Sequence, residues 1–286
     1  MQLKDRTFLV SGGSSGLGLA TTQLLASHGA YISVLDLNPP PTSASLPSSH
    51  ILFTKTDVSS TQSLQAAVTA SLGWITRTSA PLSGVIACAG IGTAGLVLPK
   101  QSSDEPKYYD IAVFDRTLAI NLRGSVDLIR LALPHIARNE PWGPDGERGV
   151  LVVVSSVAAF EGQVGQLAYS ASKGAVRSIV LPLARELGPK IGVRVLGIAP
   201  GVFETGMTVP KAKAPAKTTA QQERAQKPEK KPTGQRAGVN PEMVNYPVRM
   251  GKSEEFARLV KEIIENPMLN GDTIRLDGGV RMPSRL

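Results

Sequence analysis

Ser156, Tyr169 and Lys173 are spaced so that a hydroxyl, a phenol and an ammonium can meet at one point. The apolar run at 150–154 reads as a buried parallel strand, which puts Ser156 just past a strand's carboxyl end. Open α/β sheets place their ligands at that end. Beyond a loop containing Gly162 and Gly165, Tyr169 and Lys173 fall on a helical pattern, four residues apart and therefore on one helix face. Such a trio suits general acid–base chemistry on an alcohol or a ketone.

Chemistry of that kind needs a redox partner, and the amino-terminal part of the chain has the pattern that holds one. Residues 7–10 read as a first strand, followed by Ser11-Gly12-Gly13-Ser14-Ser15-Gly16-Leu17-Gly18 and a helical pattern over 19–27. Gly12, Gly16 and Gly18 between strand and helix allow a tight turn, with backbone N–H groups close to a pyrophosphate at the helix N-terminus. A second strand, 31–35, ends at Asp36. A carboxylate there accepts hydrogen bonds from the adenosine 2′- and 3′-hydroxyls and repels a 2′-phosphate, so NAD is expected over NADP. A solvated loop aspartate is the alternative. After a third strand at 51–56, Asp57 is placed to bond the adenine amino group and Val58 to supply a backbone donor, unless Asp57 only caps the next helix. Strand 82–87 leads into Cys88-Ala89-Gly90, small residues against which a ribose can lie; Cys88 reads as packing, with no histidine near it in sequence. After strand 193–198, the segment from Pro200 and Gly201 to Phe203 and Thr205 can fold over a nicotinamide. Asn121 lies within a helical pattern over 111–134, where an unsatisfied amide would be costly. It either makes a local structural hydrogen bond or orders a water toward the site in a kinked helix.

The scaffold implied is a single doubly wound Rossmann domain over residues 1–286, a roughly seven-stranded parallel sheet flanked by helices. Its 286 residues can bury a large core, and no apolar run approaches the roughly 20 residues of a membrane helix. The amino-terminus leads straight into a strand, so no leader peptide is expected. Cys88 is the only cysteine, so no internal disulfide can form and a reducing compartment is expected. Much of the formal charge of +8 lies in a basic Ala/Lys/Pro/Gln stretch, 207–244, where between 211 and 236 eight Lys and Arg residues stand against Glu223 and Glu229. The stretch reads as a mobile insertion, either a substrate lid or a solvated linker. Since the rest is close to neutral, nucleic acid is not the expected partner, although a scaffold that binds acidic partners through this stretch is the reading from another class. The terminal Ser284-Arg285-Leu286 resembles a receptor-read peroxisomal address; without it the protein is expected in the cytoplasm.

The Gly12/Gly16/Gly18 turn, Cys88-Ala89-Gly90, Asn121, Ser156, Tyr169, Lys173 and Pro200-Gly201 fall in the order of the short-chain dehydrogenase/reductase family. The thirteen-residue gap between Ser156 and Tyr169 also matches it. Within that family the chain is most similar to the 3-hydroxyacyl-CoA dehydrogenases, through 156–174, 264–271 and 274–279. The resemblance implies an NAD-dependent oxidoreductase acting on a secondary alcohol or ketone, with an acyl-CoA thioester as substrate, no metal, and a homodimeric or homotetrameric assembly. By the same resemblance, Ser15, Leu17, Asp36, Asp57, Val58, Cys88, Tyr169, Lys173, Phe203 and Thr205 contact the cofactor. Tyr169 is then the acid/base, Lys173 favours its phenolate, Ser156 holds the substrate oxygen, and Asn121 orders a water toward Lys173. Ala87 stands where an asparagine is common in the family, and the basic stretch is longer than the usual substrate loop, so a ketone or imine reductase or an alcohol oxidase of a specialised metabolite or steroid is the alternative.

Overall fold

The computed structural model describes residues 1–99, 106–206 and 244–282. Nearly all of the basic stretch and the terminal tripeptide lie outside the described residues. Seven strands form one fully parallel sheet in the order β3-β2-β1-β4-β5-β6-β7. They are β1 Thr7–Ser11, β2 Tyr31–Asp36, β3 Ile51–Lys55, β4 Leu82–Ala87, β5 Gly149–Val154, β6 Val193–Pro200 and β7 Thr273–Leu276. The chain winds outward from β1 to β3 and then returns to β4 on the other side of β1. That reversal opens a crevice at the carboxyl ends of β1 and β4.

The central strands are apolar at nearly every position because both faces are covered. Successive side chains point to opposite faces. Phe8 and Val10 therefore join Val150 and Val152 in one core, while Leu9 joins Leu151 and Val153 in the other. Helices α1 (Gly16–Ser27) and α7 (Ser253–Glu265) cover the first face, with Leu25, Phe256, Val260 and Ile263 fully buried. On the second face lie α2 (Thr61–Thr78) and a long helical run: α3 (Ile111–Leu118), a π-turn (Ala119–Arg123) and α4 (Gly124–Ile136). That face is completed by α5 (Leu167–Ser178) and α6 (Val180–Ile191).

The helix expected at 19–27 begins at Gly16, which brings the glycine turn onto its first residues. Just before β5 the chain places a charge in the interior, because Glu147 accepts from Arg194 Nε at 2.7 Å. Arg194 donates as well to the carbonyls of Ile263, Ile264, Asn266 and Leu269 at 2.7–3.1 Å, so it satisfies the carboxyl end of α7 and the turn after it. Glu147 also pairs with the Met1 ammonium at 3.0 Å.

Candidate active site

A cleft of about 600 Å³ lies over the carboxyl ends of the central strands. Its floor is the turn between β1 and α1. Gly12 has φ +68°, and a side chain there would put Cβ 2.9 Å from Ala89 Cα. At Gly18 it would collide with the Gly12 carbonyl oxygen, so the first turn of α1 closes directly on the loop. Ser11 ties the two strand ends across the crevice: its carbonyl accepts from Cys88 N–H at 3.1 Å and its hydroxyl from Ala89 N–H at 3.3 Å.

Asp36 ends β2 at the cleft wall. One carboxylate oxygen accepts from Ser14 N–H at 3.1 Å and the other from Asn38 N–H at 3.4 Å, so the glycine loop holds the carboxylate in place. Asp57 lines the same end. It accepts from Ser59 N–H and Oγ at 2.9 and 2.7 Å, bonds that hold its carboxyl below the usual range, the side-chain bond being the larger cause. The cap of α2 is not Asp57 but Ser60, whose hydroxyl accepts from Ser63 N–H. Val58, Cys88, Ala89, Gly90, Pro200, Gly201, Phe203 and Thr205 also line the cleft with Ser15, Gly16, Leu17 and Gly18. A Cβ on Gly16 would be 3.4 Å from the Thr205 side chain, so the segment after β6 crosses to the glycine turn.

Ser156, Tyr169 and Lys173 enter the cleft together, from the end of β5 and from α5. Lys173 is 5% exposed, and its Nζ donates to the Val154 carbonyl at 2.7 Å and sits 6.0 Å from the centre of the Tyr169 ring. Burial lowers the Lys173 pKa to about 8, with a smaller opposing effect of Cys88. Burial also pushes the Cys88 thiol up to about 12, a protonated packing residue at neutral pH. The Tyr169 phenol is shifted upward, again by burial, and the Ser156 hydroxyl pulls it partly back. In the protein alone the net shift of the phenol is upward, because desolvation outweighs the hydrogen bond to Ser156.

Asn121 stands in the π-turn behind this group, fully buried and outside the cleft lining. Its Oδ1 accepts from Ile91 N–H at 2.8 Å, and its Nδ2 donates to the Ile91 carbonyl and to Ser172 Oγ, both at 3.0 Å. Both amide hydrogens are used by protein, so any water it orders must share Oδ1. Sequence reasoning found neither Leu37 nor Arg116, which line the adenosine end of the cleft, because each reads as an ordinary surface residue. It also passed over Ser155 and Ser172, each adjacent to a residue it did single out.

The residues present fit a dinucleotide. A turn that Gly12, Gly16 and Gly18 leave open leads into a helix N-terminus, and a carboxylate is fixed at the end of β2.

The profile described as short chain dehydrogenase matches residues 6–216. The human protein called 3-hydroxyacyl-CoA dehydrogenase type-2 is 38% identical over 98% of this chain and 97% of its own length. Ipsdienol dehydrogenase of Ips pini is 31% identical over 98% of this chain and 99% of its own length. A solved 3-hydroxyacyl-CoA dehydrogenase type-2 from Mycobacterium avium superposes with a TM-score of 0.76 at 28% identity, covering 99% of both chains. Enzymes of this kind use a nicotinamide dinucleotide, NAD or NADP. With the glycine turn, the Ser/Tyr/Lys cleft and this agreement along the whole chain, the protein belongs to the short-chain dehydrogenase family of oxidoreductases.

Proposed function

We propose that the protein is an NAD-dependent dehydrogenase that oxidises the secondary alcohol of 3-hydroxyacyl-CoA thioesters. The observation that carries the reading is that Ser156, Tyr169 and Lys173 share one cleft with the glycine turn and Asp36. The full-length likeness to proteins named for this activity supports the substrate class.

Gly12, Gly16 and Gly18 would admit the pyrophosphate to the backbone of α1, and Asp36 would accept from the adenosine ribose. The nicotinamide supplies the acceptor for the substrate's hydride. The protein's part is position and proton traffic. Ser156 donates to the substrate oxygen and holds it beside the phenol of Tyr169. In oxidation Tyr169, as phenolate, takes the hydroxyl proton; in reduction it returns it as a phenol. Lys173 adds a positive charge on the cleft side of the phenol and donors for ribose hydroxyls. Lys173, together with a cationic nicotinamide ring were one bound, would offset the burial that holds Tyr169 protonated in the protein alone.

A panel of 3-hydroxyacyl-CoA thioesters, free secondary alcohols, terpene alcohols and steroids, each with NAD and with NADP, tests the reading by absorbance of the reduced cofactor. We expect the thioesters with NAD to have the highest kcat/KM. A higher value for a steroid or a terpene alcohol would overturn the substrate assignment, and a preference for NADP would overturn the role of Asp36.

A further inference from the structure

Two buried hydroxyls, Ser155 in the cleft lining and Ser172 behind it, have no task in the acid–base reading. We propose that Ser155 and Ser172 are positioning residues, fixing the phenol of Tyr169 and the ammonium of Lys173 by holding the backbone carbonyls of those two residues. The proposal rests on the acid–base reading above.

Ser155 is 2% exposed and Ser172 fully buried, and a serine hydroxyl has one proton to donate. Ser155 Oγ gives its proton to the Lys173 carbonyl at 2.8 Å. Ser172 Oγ gives its proton to the Tyr169 carbonyl, also at 2.8 Å. Each donor is itself anchored outside α5. Ser155 N–H donates to the Ile198 carbonyl at 2.7 Å, which fastens it to β6. Ser172 accepts from Asn121 Nδ2, and Asn121 is paired at two points with the Ile91 peptide on the loop after β4.

Two chains of hydrogen bonds therefore connect the sheet to the two reacting residues of the helix. One runs from β6 through Ser155 to Lys173. The other runs from the loop beside the glycine turn through Asn121 and Ser172 to Tyr169. The hydroxyls of Thr69 and Ser178, by contrast, bond only back to their own helix and are exposed. Those contacts are local and fix nothing beyond the helix. Helix packing alone leaves a helix free to slide or turn slightly, and a displacement of about 1 Å at reacting atoms can cost as much as a hundredfold in rate.

The test uses Ser155→Ala, Ser172→Ala and Ser172→Thr in the full chain. Ser71→Ala serves as a control, because Ser71 is a buried helix serine bonded to Ser33 and remote from the cleft. Four quantities are measured: kcat and KM with whichever secondary alcohol the wild type oxidises best, NADH affinity by fluorescence, melting temperature, and ionisation of Tyr169. The last is read from phenolate absorbance as the difference from Tyr169→Phe and needs no substrate. We expect each alanine variant at the site to lose about tenfold in kcat, with KM and NADH affinity changed by less than about twofold. In Ser172→Ala the phenol should ionise at higher pH than in the wild type, since it moves away from the Ser156 hydroxyl that pulls it down. Ser172→Thr should restore both properties, and Ser71→Ala should lower only the melting temperature.

If the alanine variants melt earlier but keep wild-type kcat and phenol titration, the serines only stabilise the fold and the proposal fails. Failure of threonine to restore turnover overturns it too. A wild type that oxidises no 3-hydroxyacyl-CoA would refute the substrate reading instead, and the phenol titration would still decide this one.

Discussion

Tyr169 and Lys173 stand close together in a poorly hydrated place, and burial shifts both toward the neutral form: the phenol upward, the ammonium down to about 8. Two measurable consequences follow from the signs. Oxidation needs the phenolate and reduction needs the phenol, so kcat for alcohol oxidation should rise with pH through the neutral-to-alkaline range while ketone reduction falls. Parallel profiles in both directions would remove Tyr169 as the shared acid and base. Tyr169→Phe should abolish both directions and leave NADH affinity within about twofold, read by fluorescence, because the missing group acts on the substrate proton. The second consequence concerns stability. The folded pKa of Lys173 lies below its unfolded value, so the unfolded chain binds the extra proton between about pH 8 and 10.5. The penalty for burying the ammonium is full below about pH 8 and fades as pH rises toward 10.5. It is on the order of 3 kcal/mol. Lys173→Met should therefore gain stability relative to wild type at pH 7 and lose that advantage by pH 10, in denaturant titrations at the two values. Much of this site was legible in the sequence, since residue types at set spacings after strand ends prescribe both position and chemistry. The direction of the Tyr169 shift was not, because it depends on how much water surrounds the phenol, and no spacing encodes that.

At the scale of elements, the arrangement depends on where helices are pinned. The π-turn at Ala119–Arg123 widens the helix by one residue per turn where Asn121 must face inward. A sequence pattern gives the helix and the unusual asparagine but not the widened turn, since local propensity does not distinguish the two geometries. The sequence reading gave the helix after Asp57 no bounds and did not find α6, and both stay in register through what they bury: Leu64 and Ala67 on α2, Ala184 and Leu187 on α6. Strands were easier, because a sheet covered on both faces leaves long apolar runs. The polar turn before β5 concealed the least legible element, the buried pair of Glu147 and Arg194. Arg194 lies at the start of β6 and bonds four carbonyls where α7 ends, so one side chain fixes the helix to the sheet. Arg194→Met keeps the volume and removes the charge. Glu147 would lose a partner, and the carbonyls would lose their donor in a place water does not reach. A loss of about 3–5 kcal/mol is expected by chemical denaturation. A loss under about 1 kcal/mol would mean that α7 packs by its apolar face alone.

Across the whole molecule, core and cleft are built from the same strands. Val10 and Val152 lie in the core of the strands whose ends reach the glycine turn and Ser156, and the cleft draws on residues that follow β1, β2, β3, β4, β5 and β6. A ligand that bridges those ends couples to the sheet as a unit. At a concentration of about 100 times its Kd, NADH should add roughly 2.7 kcal/mol to the folded state, which for a chain of this size is a rise of roughly 5–10 °C in melting temperature. The rise should come as one shifted transition. A second transition left at the unliganded temperature would show that part of the sheet unfolds without regard to the cleft. The coenzyme's phosphate separates the general effect from the particular one. NADPH at the same concentration should shift the transition less, because its 2′-phosphate would meet the Asp36 carboxylate that Ser14 and Asn38 hold in place. Asp36→Ala should bring the two shifts together, lowering the first and raising the second. If the gap between NADH and NADPH survives that substitution, the selectivity of the fold lies elsewhere along the β2 end.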